Sequence, residues 1–476
     1  MFKTEPMAHQ RADFERTSDS DSFAFFWEQG TGKTKISIDT IAHQFRTGRI
    51  DTAIVVAPNA VHRNWLSDEL PLHLPEDVAA KTHAFSYLTS RAGTKMQKNE
   101  VEYALRFKGL ALMTISYDAF MTEAGKKTVK DFIRRRGSIH MVLDEAHNIK
   151  TPGAKRTMSL IAAGRYATTK RILTGTPVAN SPFDVYSQIR FLDQDFWKAH
   201  GIPTFQVFQH TFGIFAKNAN GQDFPVGYRN LEVLKEWIRP ISSRVLKEDV
   251  LDLPPKTYSR RYYELTPAQI KLYLQLKNEF IAELSNGDIL DAQLAIVRLL
   301  RMQQVTCGYL PTEDGEEPVY MIDKKNPRIG LLLETLENYN HPVIIWARFR
   351  MDVDQICEAL GNKCVRFDGK VSGDDRELAR KRFKAGDVQY FVANPAVGGT
   401  GLTLTEAKSM VYYNNSFKLI DRLQSEDRFH RIGQTDPVSI IDLMAARTVD
   451  EHIASSLIKK RNVASEVTGD EIQSWL

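Results

Sequence analysis

The sequence predicts an α/β fold in two lobes, each a parallel sheet covered by helices on both faces. Three observations lead there. Short apolar runs of strand length alternate with longer segments of helical character. The same rhythm occurs twice, and a mostly helical stretch separates the two series. At 476 residues the chain is also longer than one hydrophobic core usually organises, which makes two domains the default.

The first series runs "SFAFFW", "TAIVVAP", "GLALMTISY", "IHMVLDEAH" and "KRILTGTP". Each run has the length of a buried strand and ends in a turn-prone or polar residue, as the strands of a doubly covered parallel sheet do. The second series runs "HPVIIWARF", "KCVRFDG", "QYFVANPA", "SMVYYNN" and "VSIIDLMA". Between them, roughly Val178 to Gly330, the pattern is mostly helical. "TPAQIKLYLQLKNEFIAEL" is amphipathic, with a Thr cap before Pro267 in the first turn. Pro254-Pro255 marks a hinge, and "PTEDGEEP" reads as an exposed acidic loop. The expected division is a first lobe over 1–255, with a helical insertion at about 178–250, and a second over 256–476, with a helical segment at about 264–310. No repeat of solenoid period is present.

The composition is that of a globular protein, 42% hydrophobic and 26% charged, with a formal charge of +4. That charge permits nucleic-acid binding without arguing for it, so a basic surface has to come from local clustering. The three cysteines, Cys307, Cys357 and Cys364, form no CxxC pair, which disfavours a disulfide framework or a zinc site. The start "MFKTEPMAHQ" has no apolar signal core, and "FAFFW" is too short to cross a bilayer. The expectation is a soluble intracellular protein with no membrane role, cytoplasmic if the source is bacterial or a virus of a bacterial host.

"FFWEQGTGKTKI" poses a question of chemistry. The general phosphate loop needs Gly, four residues, then Gly-Lys-Ser/Thr, and here Trp27 stands where the first Gly should be. The physical requirements are nonetheless present. Gly30 and Gly32 permit the backbone angles of a cradle, Lys33 supplies charge for the β- and γ-phosphates, and Thr34 a hydroxyl for Mg²⁺. An apolar strand precedes the loop, and a helical pattern follows it. In "MVLDEAHNI" a strand ends in two carboxylates. Asp144 suits the Mg²⁺ shell, and Glu145 suits orienting or deprotonating the attacking water.

Together "EQGTGKT", "LDEAH", "LTGTPVAN" and "QSEDRFHRIGQ" resemble, in order, the motifs of superfamily-two helicases, and the last two resemble the Swi/Snf-type DNA translocases. The resemblance extends from His9-Gln10 to about Ala446 and implies two RecA-like lobes with helical insertions near their junction. The family's loop has the shorter glycine pattern, so Trp27 is no defect. The resemblance implies ATP and Mg²⁺ as cofactors, held by Gln10 at the adenine edge and by Glu28, Gln29, Gly30, Thr31, Gly32, Lys33 and Thr34 in the loop. Thr34 and Asp144 are the implied metal ligands.

Further motifs carry the resemblance onward. "VVAPNAVHRNWLSDEL", with Pro58, and "MTISYDAF", with Ser116 and Tyr117, resemble DNA-gripping motifs, since small polar groups at strand ends hold phosphates without reading bases. Core packing is the favoured role for Trp65. Thr174 lies in the segment that couples hydrolysis to the DNA path. "RPISSRVLKEDVLDLPPK" resembles the basic segment closing the first lobe, with Arg244 and Lys247 fitting a helix face. Arg348 follows a strand, where it is either a phosphate contact or a solvated side chain. "ANPAVGGTGLTLTEA" resembles the fifth motif, whose Gly398, Gly399 and Gly401 leave amides open for a phosphate of DNA or nucleotide. The family usually has Asn where Thr403 stands, which weighs against a local hydrogen bond there. Phe417 stands where the family often has a Trp and is given no DNA role.

Gln424, Arg428 and Arg431 fall at i, i+4 and i+7, one face of a helix. The resemblance makes Arg428 and Arg431 arginine fingers, worth roughly 10³–10⁵ in rate in comparable systems. The function these motifs imply is ATP-driven translocation on double-stranded DNA, directed by DNA structure or by a targeting protein partner. The alternatives are a strand-separating DNA or RNA helicase and a non-catalytic DNA-binding scaffold.

Overall fold

The computed structural model describes residues 2–59, 61–217, 221, 223–285, 292–311, 320–398 and 402–470. The acidic loop after Pro311 and two of the motif glycines, Gly399 and Gly401, lie outside the described residues.

The first unit comprises Met1–Ile214, Gly227–Asp252 and Val463–Glu471. Its strands are β1 (Ser22–Trp27), β2 (Thr52–Ala57), β3 (Thr82–Tyr87), β4 (Leu110–Ser116), β5 (Ile139–Asp144) and β6 (Thr169–Leu173). They lie in the order β3-β4-β2-β5-β6-β1, and a short strand, Ser242–Val245, adds at the β1 edge. All pairs are parallel. Strands β2, β4 and β5 are buried along their whole length. That is why they read as unbroken apolar runs rather than alternating ones. The core under the sheet collects Phe25, Trp27, Ile36, Trp65, Val142 and Leu173.

The second unit comprises Phe215–Val226, Leu253–Asn462 and Ile472–Leu476. Its sheet order is Lys256–Tyr263, Val438–Ala445, Ser409–Tyr412, Val343–Trp346, Tyr390–Ala393 and Cys364–Phe367, again all parallel. Helices Pro267–Ser285 and Ala292–Thr306 form the expected helical segment. Two α/β lobes with parallel sheets are thus what the alternation of runs predicted, and RecA-like lobes are what the resemblance implied.

The predicted boundaries need correction. The chain does not divide once at position 255: residues 463–471 belong to the first unit and 215–226 to the second. The insertion at about 178–250 is not purely helical either. Gly213–Lys217 and Asp223–Tyr228 form a two-stranded sheet that displays Ile214, Phe224 and Val226 to solvent. The period of a short exposed strand is too brief to register against the helices around it.

In the second unit the Arg328–Asp450 ion pair is internal. Arg328 has no exposed surface, binds the Asp450 carboxylate, and lies over the rings of Tyr263 and Tyr413 at 5.3 and 5.4 Å. Asp450 also accepts the Ala445 amide at 3.0 Å. Removing one partner strands the other charge in the interior. Asp450→Ala is expected to destabilise the second unit by about 3–5 kcal/mol, read as a lowered urea midpoint.

Candidate active site

Three neighbouring strands of the first sheet, β5, β6 and β1, deliver the candidate site. Asp144 pairs with Leu173, and Leu173 with Phe25. Parallel pairing therefore brings the loop after Trp27, the acidic pair Asp144-Glu145 and Thr174 to one edge.

The loop after β1 turns through Gly30 and Gly32, at φ +84° and +89°, angles that favour glycine. Lys33 then opens the helix Lys33–Arg46, so the loop runs directly into the first turn of a helix, the end that favours anions. The Lys33 ammonium donates to the Trp27 and Glu28 carbonyls at 2.8 and 3.0 Å. Thr31 is fixed twice: its hydroxyl donates to Glu28 O at 2.8 Å, and its carbonyl accepts from Gln10 Nε2 at 3.2 Å. His9 Nε2 lies 2.8 Å from the same carbonyl. Thr34 is half-buried in the helix's first turn. Trp27 resolves the spacing anomaly. Its side chain leaves the loop for the core, donates to Ser243 Oγ at 2.7 Å, and meets His9 edge to face at 4.9 Å. The loop lacks the first glycine because the backbone at that position is ordinary strand.

Gln10 is buried with both amide atoms engaged: Oε1 accepts from Met7 N at 2.9 Å, and Nε2 holds Thr31. In this arrangement it braces the loop rather than presenting its amide to an adenine edge.

The acidic pair is tightly constrained. Asp144 Oδ1 accepts the Glu145 amide at 3.0 Å, Oδ2 accepts the Trp65 indole N–H at 2.9 Å, and its carbonyl accepts the Tyr117 hydroxyl at 2.9 Å. Burial, then the Glu145 charge, push the Asp144 carboxyl up to about 6, while the Trp65 N–H and the Lys33 charge pull the other way. Glu145 sits in the left-handed region at φ 54°, a strained choice for a non-glycine residue. Its carboxylate meets Gln29 Nε2 at 3.4 Å and His147 Nδ1 at 3.3 Å, and His147 meets Thr174 Oγ1 at 3.3 Å. The loop, the acidic pair and Thr174 thus lie along one run of close polar contacts.

Three side chains named as DNA contacts are internal. Ser116 is buried and caps a helix by accepting from Ala119 N at 3.0 Å. Tyr117 is buried on Asp144, and Thr174 has no exposed surface. The pattern fixed them at strand ends, but not which way each side chain turns. Pro58, half-buried at the end of β2, keeps its place on the surface.

Arg244 and Lys247 do not share a helix face. Arg244 lies on the edge strand Ser242–Val245, pairs with Asp470 at 2.8 Å and donates to Phe26 O at 2.7 Å. Lys247 is buried, and its amide donates to Glu28 Oε2 at 2.9 Å beside the loop. His9 and His147 are site-building residues that sequence reasoning left unassigned, while Trp65 was read only as core and Lys247 only as part of a basic helix face. Only His9 and His147 carried a signal, through adjacency to Gln10 and to the acidic pair.

In the second unit, the helix holding Gln424 is Leu419–Glu426, so Arg428 and Arg431 lie beyond it and the shared helical face does not exist. The chain turns inward there, since Phe429 is fully buried. Arg428 folds back onto Gln424 O at 3.0 Å and Leu402 O at 3.4 Å, and Arg431 donates to Thr403 Oγ1 at 2.9 Å. The hydrogen bond doubted at Thr403 is therefore made. Arg348 is not a solvated side chain: it donates to Gln303 Oε1 at 2.6 Å, and burial lowers its pKa from the usual value. It lines a cleft of about 200 Å³ with Asn394, Asn414, Ser416, Lys418 and Asp421, just past the strand ends. Gly398 closes the short helix Pro395–Gly398 beside it.

With this geometry in place, comparison with known proteins is informative. The model of the SNF2-related domain matches residues 16–308, and that of the helicase conserved C-terminal domain matches 326–433. The chain belongs to the SNF2-related family. Protein CHROMATIN REMODELING 24 of Arabidopsis thaliana is 26% identical over 93% of this SNF2-related chain and 44% of its own length. Transcription regulatory protein SNF2 of Saccharomyces cerevisiae is 23% identical over 92% of the chain and 26% of its own length. The human SWI/SNF-related matrix-associated actin-dependent regulator of chromatin subfamily A member 1 is 28% identical over 71% of the chain and 32% of its own length. The chain thus spans less than half of each of these relatives. The Sulfolobus solfataricus SWI2/SNF2 ATPase core in complex with dsDNA aligns with a TM-score of 0.42 at 21% identity, covering 98% of this chain and 95% of that one. Among the described residues, no helix is long and apolar enough to cross a membrane.

A Cβ at position 32 would land 1.8 Å from Gln10 Nε2, on a backbone at φ +89°. Gly32→Ala is expected to cost about 1–3 kcal/mol and to weaken nucleotide binding. Adding Gln10→Ala should restore part of the stability without restoring binding, measured by thermal melting and fluorescent-nucleotide titration.

Proposed function

We propose that this SNF2-related chain hydrolyses ATP to move along double-stranded DNA. The observation that carries the reading is the run of polar contacts from the phosphate loop through Glu145 and His147 to Thr174. A phosphate loop alone would serve binding; a carboxylate pair in contact with it and with the next strand end serves hydrolysis and its coupling to movement.

Lys33 leaves its carbonyl partners to take the β- and γ-phosphates, and the amides opening the helix Lys33–Arg46 receive the rest. The donor set fits Mg²⁺: the Thr34 hydroxyl and the Asp144 carboxylate are hard oxygens. Mg²⁺ commonly takes one or two protein oxygens, with substrate phosphates and waters completing its shell. Bound there, it would neutralise charge developing on the phosphates. Glu145, held off Asp144 by its left-handed backbone, orients and deprotonates the attacking water. Arg428 and Arg431 supply positive charge to the transferring phosphoryl group, their stems already ordered by Leu402 and Thr403. For DNA, the cleft with Arg348 and Lys418 offers backbone phosphate a cationic seat with no base-reading geometry. Affinity should then fall by about 0.9 log units per phosphate contact per decade of salt.

Strand separation is the second reading, and one observation motivates it: the two-stranded sheet exposes the apolar side chains of Phe224 and Val226. Displacement of a triplex strand without duplex unwinding supports translocation, and unwinding of a forked duplex replaces it.

Lys33→Ala should abolish DNA-stimulated phosphate release while leaving duplex binding within about twofold. The double variant Arg428→Ala/Arg431→Ala should lose about 10³-fold or more in turnover with nucleotide binding retained. Normal hydrolysis by Lys33→Ala would refute the loop assignment.

A further inference from the structure

The Trp65–Asp144 hydrogen bond has no counterpart among the sequence expectations. Trp65 is 1% exposed, which by itself is ordinary core packing. A buried indole N–H usually finds a partner, but burial does not dictate this one. Trp27 uses the Ser243 hydroxyl, Trp197 uses the Tyr186 carbonyl at 2.9 Å, and the buried Trp346 nitrogen has no hydrogen-bond partner. Yet Trp65 reaches a carboxylate at the centre of the site.

The backbone is shaped to achieve this. Strand β2 pairs with β5 up to Val56 opposite Leu143, so the chain leaving β2 emerges beside Asp144. A short turn, His62–Asn64, leads into a π-helical turn, Trp65–Glu69, in which Leu70 N donates to Trp65 O. Such turns are uncommon, weaker than α-helix and frequent at functional sites. The geometry at Asp144 is complementary: one oxygen accepts from the Glu145 amide and the other from Trp65. Two donors in fixed directions set the carboxylate plane and leave its remaining lone pairs for a cation.

The other end of the same segment is open. Pro58 is half-buried, Asn59 and Arg63 are exposed, and a single residue, Asn64, separates Arg63 from Trp65. Pro58 O anchors the turn by accepting the amides of Val61 and His62 at 2.8 and 3.0 Å. The turn is thus continuous with Trp65 through Asn64 alone, so Arg63 outside and the indole inside belong to one short segment.

We propose that Trp65 is a positioning residue that orients the Asp144 carboxylate for its cation and transmits to it whether the Pro58–Asn64 turn is engaged by nucleic acid. The assignment rests on the ATPase reading above and deepens it. Trp65 touches neither nucleotide nor nucleic acid. Its contribution is to make the metal-holding group responsive to the turn outside.

The test compares wild type with Trp65→Phe, which keeps an aromatic ring and loses the N–H. A second variant carries 3-benzothienylalanine at position 65, which keeps the shape of indole with sulfur in place of N–H and remains usable if Trp65→Phe fails to fold. Fluorescent ADP is titrated in EDTA and across a Mg²⁺ series, and phosphate release is measured with and without duplex DNA. Both variants are expected to bind nucleotide normally in EDTA. They should need roughly 10–100-fold more Mg²⁺ for half-maximal tightening, and lose most of the stimulation by duplex. Wild-type Mg²⁺ dependence in both variants, or wild-type stimulation by duplex, overturns the assignment alone. If wild type itself binds ADP no better with Mg²⁺ than in EDTA, the ATPase reading falls and takes this assignment with it.

Discussion

In a sheet whose strands all run one way, every strand ends on the same edge, and that constraint underlies everything at the candidate site. The order β5-β6-β1 places the acidic pair, Thr174 and the phosphate loop side by side, though they are separated by up to about 145 residues of sequence. No single motif makes a site. Parallel pairing does so by turning sequence order into spatial adjacency, and the helix after β1 then supplies amides where a polyanion can use them. The same rule in the second unit gathers Arg348, Asn394 and Asn414 past three strand ends.

What was legible in the sequence followed this rule. Buried strands announce themselves as apolar runs, and Gly30, Gly32, Lys33 and Thr34 announce a cradle, because each requirement is local to a few residues. What was not legible depended on contacts across space. Trp65 was readable as core, but its polar partner lies 79 positions away, and hydrophobic period says nothing of where an indole N–H points. Ser116 and Tyr117 sat at a strand end, as expected, yet they turn inward. Arg428 and Arg431 had helical spacing without a helix, because burying Phe429 turns the chain after Glu426. The strand at Ser242–Val245 was too short for its alternation to outweigh the helices beside it.

The first unit is also wired more densely than a binding site requires. Gln10 and His9 converge on one carbonyl of the loop, Arg244 joins Phe26 to Asp470, and the Lys247 amide holds Glu28. Each tie restricts the loop from a different element of the unit. The amino-terminal helix, the edge strand and the last residues of the described chain are thus all tied to the loop or to the strand that leads into it.

Glu145 shows how such a site is kept ready. Its backbone is held at φ 54° and ψ 54°, a conformation that costs a non-glycine residue of order 1–3 kcal/mol. Hydrogen bonds from Gln29 and Asn148 hold it there, with the His147 ring against its carboxylate at 3.3 Å. The side chain is thereby aimed before any fuel arrives. The strain is met once, when the chain folds, and the direction of the carboxylate is then a property of the folded backbone rather than of a side-chain search.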